Sequence, residues 1–382
     1  MGVQREAGAS LLLGAVATAT IQKFTYIIKH KNLFNLMKNK TTTYIIGAGA
    51  SFELGLPTGE QLKDQISKLL NINFNFDKLS SGDQQIVDAL NAYIRENKTS
   101  LKLNEYRSEC IHISENLPLA ISIDNLIDNN RGNATIELCG KLGIVKSIIL
   151  AEKKSLLFEK NNEKLNFSNL INSWYLPFFK TLTENCTLKE LTNRLKSITL
   201  IIFNYDRCIE HFIINALISY YRLNDTDAYN LFENLTIIHP YGTIGSLQWQ
   251  KSNDDINVPF GGNIPTNKLI QHAQNIKTFT EGTESSNTKE IHNAIEKADR
   301  TIFLGFAYHK INMKLLGKGG FFHAYNSENK ECFGTSYAMS ENDKELVINS
   351  IKSLYEGNFK INIVNLTCSD LFNEYSRSLS YT

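Results

Sequence analysis

Three short clusters in this chain carry the residue types that hold or transform a charged ligand. The first is Gly47-Ala48-Gly49-Ala50-Ser51, followed by Gly55-Leu56-Pro57. Closely spaced glycines let backbone approach a ligand with no Cβ in the way. A helix beginning there offers N–H groups and a positive dipole end to a pyrophosphate, and Ser51 adds a hydroxyl. A tight strand-to-helix turn accounts for the glycines equally well. The second cluster is Asn204-Tyr205-Asp206, directly after the apolar run Ile198 to Phe203. An amide in that place needs partners. Asp206 is suited both to a crevice and to capping the next helix. The third is His239, in Ile237-Ile238-His239-Pro240-Tyr241-Gly242, a side chain that titrates near neutrality. Two further groups suit an adenosine pocket: Gly305-Phe306-Ala307-Tyr308-His309 with Asn312 after it, and Gly334-Thr335-Ser336. The glycines allow close approach, Phe306 packs, and Thr335 and Ser336 meet ribose hydroxyls. His309 and Asn312 read as polar residues at a helix start.

These clusters need elements that bring them together. Tyr44-Ile45-Ile46 reads as a buried strand closed at Gly47, and a helix is expected from near Thr58, with Leu62, Ile66, Leu69 and Leu70 on one face. Further strands are expected at Ile198 to Phe203, Thr236 to Ile238, Thr301 to Leu304, Glu331 to Phe333 (stopped at Gly334) and Lys360 to Val364. Helical patterns lie between several of them. Apolar strands alternating with helices indicate an α/β fold, a Rossmann-like parallel sheet covered on both faces. From about residue 71 to 196 the pattern is mainly helical. The expected organisation is a nucleotide-binding domain from residues 41–70 and 197–382, with a large inserted helical domain at 71–196. Residues 1–40 read as an N-terminal extension, with Met37 an alternative start.

Composition narrows the classes. The chain has 382 residues, 42% of them hydrophobic and 21% charged, enough apolar material for a sizeable core. Forty basic against 39 acidic side chains give no overall pull toward nucleic acid. Cys110, Cys139, Cys186, Cys208, Cys332 and Cys368 form no CxxC pair, so no zinc-ribbon spacing is present and no metal is expected. Such scattered cysteines fit a reducing cytoplasm. No segment reads as a membrane span. A nicotinamide dehydrogenase fits poorly. Phe52 stands where the third glycine of the GxGxxG fingerprint belongs, and a helical block replaces the second strand with its acidic end.

Taken in order, the clusters resemble the sirtuin superfamily. Gly47 to Ser51 with Gly55-Leu56-Pro57 match its GAGxSxxxGxP motif, Asn204-Tyr205-Asp206 is similar to its Asn-x-Asp motif, and His239 resembles its catalytic histidine. Gly305 and Gly334 fall where its later nucleotide-binding strands end. Deacylating members carry a Cys-rich zinc module, absent here. They have a Phe-Arg pair where Gly59-Glu60 stands, and a glycine directly after the histidine, where Pro240 and Tyr241 intervene. The chain more closely resembles the sirtuin-like NADases of bacterial anti-phage defence, in which a helical domain covers the nucleotide site.

That resemblance implies NAD+ as substrate, hydrolysed to nicotinamide and ADP-ribose, and antiviral defence by NAD depletion in abortive infection. Asn204 would position the ribose and water, His239 would bond ribose hydroxyls and act as base, and Asp206 would orient the carboxamide. Gly47, Ala48, Gly49, Ala50, Ser51, Leu56 and Pro57, with Gly305, Phe306, Gly334, Thr335 and Ser336, would line the nucleotide site. It further implies a homo-oligomer and, in some members, a HerA-type ATPase partner. Two rival readings are a sirtuin-type deacylase or ADP-ribosyltransferase, and a non-catalytic nucleotide-binding subunit.

Overall fold

In a computed structural model, the apolar runs form one six-stranded, all-parallel sheet. The strands are β1 (Thr42–Ile46), β2 (Ile198–Ile202), β3 (Thr236–Ile238), β4 (Arg300–Leu304), β5 (Glu331–Thr335) and β6 (Lys360–Val364). Their order across the sheet is β6-β5-β4-β1-β2-β3. This is the order of the doubly wound dinucleotide-binding fold, in which the winding reverses between β1 and β4. The structure describes residues 40–98, 100–160, 163–250, 256–278, 281, 287–317, 325–326 (main chain only), 330–357 and 359–381. The N-terminal extension expected from the sequence lies almost wholly outside them. The elements discussed below belong to one unit, Thr41–Ser380.

The helices follow in chain order. α1 (Ala48–Phe52) and α2 (Gly59–Leu70) come after β1, and Thr58 closes a capping box with Gln61 at the start of α2. Then come α3 (Gln84–Asn97), α4 (Leu103–Asn116), α5 (Ile123–Asn129), α6 (Ala134–Lys154), α7 (Tyr175–Thr183) and α8 (Leu188–Lys196). β2 leads into α9 (Cys208–Tyr221) and α10 (Asp225–Phe232). α11 (Leu269–Gln274) and α12 (Asn287–Lys297) precede β4, α13 (Lys310–Leu316) follows it, α14 (Glu341–Lys352) follows β5 and α15 (Cys368–Glu374) follows β6.

All five residues of β1 are buried, as a strand covered on both faces requires. Their alternation sorts the two layers. Tyr44 meets Phe178 of α7 edge-on at 5.3 Å, within an aromatic cluster that includes Trp174, Tyr175, Phe212 of α9 and Phe372 of α15. Ile45 belongs to the other core, with Ile291 and Ile295 of α12, Ile351 of α14 and the apolar faces of α2 to α6. The segment 71–196 is therefore divided. Its middle helices extend one core, and α7 lies against the opposite face of the sheet. It also contains a short antiparallel pair, Asn73–Asn75 with Lys78–Ser81, absent from the mainly helical expectation. The expected stop of the fifth strand at Gly334 is corrected as well: β5 runs on to Thr335. A Cβ on Gly334 would lie 2.6 Å from the Tyr308 hydroxyl, so this glycine makes room for a tyrosine rather than ending a strand. All six cysteines are free, and no helix among the described residues is long and apolar enough to cross a membrane.

One buried ion pair joins the layers beside the motifs. Arg207, at the N-cap of α9, meets Glu152 of α6 at 2.5 Å, with both side chains almost wholly buried. The guanidinium also donates to the carbonyls of Val258 at 2.7 Å and Pro259 at 3.3 Å, and Glu152 accepts from Gly261 N at 3.0 Å. The pair thus fastens the loop after β3 to both helices. Removing one partner of such a pair strands a buried charge. Glu152→Ala is expected to cost about 3–5 kcal/mol in urea unfolding; a change below about 0.5 kcal/mol, the range of ordinary surface substitutions, would show that the pair holds nothing.

Candidate functional site

The carboxyl ends of β1 and β4 meet at the winding reversal, where open parallel sheets bind ligands. Backbone packs directly on backbone there. Gly47 N donates to Leu304 O at 3.0 Å and Gly49 N to Gly305 O at 3.0 Å. A Cβ on Gly47 would stand 2.6 Å from Gly305 O, and one on Gly49 would stand 2.9 Å from Gly305 Cα. Gly305 itself has φ +52° and would place a Cβ 2.0 Å from Ala50 N. The first demand on these glycines is thus the contact between two strand ends. The N–H of Gly49, one of the donors expected to face a pyrophosphate, is used within the protein.

The second and third motifs converge on the same place. Asn204 is buried, and its Nδ2 donates to Gly47 O at 3.1 Å and to Ser51 Oγ at 3.0 Å. Ser51 Oγ donates to Asp206 Oδ2 at 2.9 Å, and Asp206 Oδ1 accepts from Cys208 N at 3.1 Å. Asp206 Oδ1 thus holds the first N–H of α9, whose N-cap is Arg207 rather than Asp206, and Oδ2 ties it to the glycine motif. Burial pushes its carboxyl above the usual range, against the pull of the Cys208 and Ser51 donors. Asn204 Oδ1 accepts no hydrogen bond from the described residues, so the carbonyl end of this amide is uncommitted while its amino end is fixed.

His239 follows β3 and completes the group. Its Nδ1 lies 3.2 Å from Asn204 O and its Nε2 lies 2.7 Å from Glu210 Oε1. Burial alone lowers an imidazole pKa, but the Glu210 carboxylate, joined by the Asn204 carbonyl and Asp206, outweighs burial and raises it. A carbonyl and a carboxylate can only accept, so both bonds form together only when both ring nitrogens carry protons. The arrangement therefore favours the doubly protonated ring. To take a proton as a base the doubly protonated ring must first lose one of its protons, and with it one of these bonds.

Several participants had little signal in the sequence. Glu210 lies on the first turn of α9, where nothing in the local sequence points to its partner. Tyr175 of α7 comes within hydrogen-bonding range of Ser51, and burial raises its phenol well above the usual value. Tyr205 donates to Asp124 of α5 in a short hydrogen bond, and burial raises the Asp124 carboxyl although this bond pulls it down. Tyr241 donates to Asn312 Oδ1 at 2.6 Å, which gives Asn312 a role beyond its place near a helix start. His309 is the N-cap of α13, with no side-chain capping bond.

The residues expected to hold adenosine lie at or just beyond the ends of β4 and β5. Phe306 is buried against Phe203, with ring centroids 5.0 Å apart, and against Phe303 and Tyr308. Thr335 Oγ1 accepts from Gly305 N at 2.9 Å and so supports the strand-end contact. Gly334 is packed against Tyr308. Ser336 is fully buried at the end of β5, and its Oγ has no hydrogen-bond partner among the described residues. Leu56 and Pro57 are buried behind α1, and Ala48 and Gly49 are half-buried at its start. No cluster of potential metal ligands occurs among the described residues.

The glycine contact yields a direct expectation. Gly305→Ala combines a left-handed φ with an impossible Cβ position and should destabilise the protein by more than about 1 kcal/mol in thermal or urea unfolding. An unchanged melting curve would show that the two strand ends are not held as described. Neither a protein-family model nor a curated protein sequence matches this chain.

Proposed function

We propose that the chain is an NAD+ glycohydrolase, cleaving the bond between nicotinamide and ribose. The observation that carries this reading is the meeting of Ser51, Asn204, Asp206 and His239, from three separate chain segments, in one network at the sheet's winding reversal. In the reaction the C1′–N bond breaks and its electron pair leaves with nicotinamide. A water oxygen then bonds to C1′, giving ADP-ribose and a released proton. Nicotinamide departs as a neutral molecule, so no strong acid is needed. The centre left behind is oxocarbenium-like, as in glycoside cleavage. The protein has to hold the ribose, stabilise positive charge and orient water. Asn204 is well placed to orient them, because its amino end is pinned and its Oδ1 is left to accept from a water or a ribose hydroxyl. Asp206 adds negative potential beneath it. His239 holds the Asn204 main chain as a donor; the base role that the resemblance implies for it would require the ring first to lose a proton, and with it the bond to Asn204 or Glu210.

By the same resemblance, the activity serves anti-phage defence by NAD depletion, in a homo-oligomer with or without a HerA-type ATPase. A free-running NADase would harm its own cell, so activity is expected to depend on assembly or a partner. Sedimentation velocity should find an oligomer; a fully active monomer would overturn this part of the proposal. A second reading, a nucleotide-binding subunit without turnover, is favoured by the engagement of both His239 nitrogens. The two readings separate on nicotinamide release from NAD+ by the purified protein. Asn204→Ala and His239→Ala should each lower release by about a hundredfold or more, with melting temperatures recorded alongside. NAD+ that binds yet stays intact, with and without partners, would leave the binding reading in its place.

A further inference from the structure

Glu210 is a buried carboxylate on the first turn of α9, 3% exposed, that no sequence motif singles out. One oxygen meets His239 Nε2 at 2.7 Å, and the other has no hydrogen-bond partner among the described residues. A buried carboxylate left half unsatisfied is costly, so what its one bond maintains matters. The other side of the imidazole leads to Asn204. The chain of contacts runs from Glu210 Oε1 to His239 Nε2, through the ring to Nδ1, and on to Asn204 O at 3.2 Å. At the far end of the same residue, the Asn204 amide is pinned between Gly47 O and Ser51 Oγ.

We propose that Glu210 is a positioning residue for the cleavage reaction: it keeps His239 doubly protonated and oriented, and His239 in turn fixes the Asn204 main chain so that the Asn204 amide faces the ribose. The inference rests on the NAD+ glycohydrolase reading for its catalytic consequence, but not for the charge state of His239. The imidazolium serves as a two-sided donor between acceptor groups that a neutral ring cannot satisfy together. The groups acting on His239 are Glu210, the Asn204 carbonyl and Asp206. Around the two carboxylates, Tyr175 of α7 and Cys208 of α9 are both pushed up by burial and stay uncharged. The neighbouring cation Arg207 is committed to Glu152. Glu210 is thus the counter-ion in direct contact with the ring, with Asp206 the second negative group.

The sign of the pH dependence follows. A histidine whose pKa is raised in the folded state holds its extra proton below that pKa, and what the proton secures is lost as pH rises through it. Cleavage should therefore fall on the alkaline side, and weakening the counter-ion should move that fall to lower pH. The test uses the full chain with ¹⁵N-labelled histidine. In the wild type, both His239 ring nitrogens should carry protons at neutral pH and titrate above an ordinary histidine. In Glu210→Gln, which keeps the shape and removes the charge, the His239 titration should move down. Nicotinamide release by this variant should be about tenfold or more below wild type near pH 8 and should recover toward wild type only as pH falls through its lowered His239 titration, which burial without the Glu210 charge places below an ordinary histidine. A purely structural role for Glu210 would give a loss that does not vary with pH. Glu210→Asp keeps the charge and should recover part of the alkaline activity.

Wild-type His239 titrating at or below an ordinary histidine overturns the proposal without any variant. So does a pH-independent loss, or no loss, in a Glu210→Gln sample with an unchanged melting temperature. If the wild type cleaves no NAD+, the glycohydrolase reading fails, and the NMR titration still decides whether Glu210 sets the charge of His239.

Discussion

The fold around the site depends on a contact in which no side chain takes part. Gly47 and Gly49 at the end of β1 lie against Gly305 at the end of β4, with backbone atoms where Cβ atoms would otherwise be. Adjacent strands fix their own spacing through the ladder, but just beyond the last rung nothing obliges two turns to stay together. Here two hydrogen bonds continue the contact past the sheet, Gly47 N to Leu304 O and Gly49 N to Gly305 O. Thr335 supports it from the next strand through Gly305 N. The short helix α1 starts in a set position as a result, and Ser51 on that helix comes within reach of Asn204 and Asp206. Without the contact, the polar network would have no fixed first member.

Charge is the second constraint. Asp206, Glu210 and Glu152 are all buried within a short distance of the start of α9, a concentration that low-dielectric surroundings penalise. Arg207 answers it at Glu152, and His239, whose pKa Glu210 helps to raise, meets Glu210. Asp206 is answered by N–H and O–H donors alone, and burial raises its carboxyl in consequence. A site with donors and charges already oriented loses little reorganisation energy when charge develops in it. The same arrangement ties His239 to its neighbours, so its chemistry depends on the partners it holds.

Much of this architecture is legible in the sequence, for identifiable reasons. Thr236 to Ile238 and Lys360 to Val364 are strands at the expected limits because both are short, β-branched-rich stretches, the latter alternating polar and apolar residues as an edge strand does. Asn204 stands out because an amide after such a run demands partners, and the structure supplies Gly47 and Ser51. Gly334 misleads because a glycine reads as a stop, and only the packed Tyr308 reveals why the strand needs one there. Glu210 is hidden because its partner is 29 residues away on another element. Asp124 is 81 residues from Tyr205, and nothing local to either residue announces the pairing. Pairings across such separations are properties of topology, and a single sequence exposes them only through motifs already suspected.

The helical segment between β1 and β2 is where topology contributes most. Four of its residues reach the motif positions or their immediate neighbours. Trp174 Nε1 donates to Ala50 O at 2.8 Å, Tyr175 approaches Ser51, Asp124 accepts from Tyr205, and Glu152 pairs with Arg207. Glu53, just beyond α1, returns the connection by accepting from Trp174 N at 2.7 Å and from Ser369 N at 3.0 Å. A cover that merely shielded a pocket would need an apolar underside and no such correspondence with the motif residues. Here the inserted helices supply hydrogen-bond partners on both sides of the network, two from α5 and α6 and two from the start of α7. Any shift of those helices relative to the sheet would have to break or remake bonds to residues flanking Asn204 and Ser51. Movement of the helical segment and order at the site are therefore one mechanical problem, and a signal acting on the helices has a physical route to the residues that would perform the chemistry.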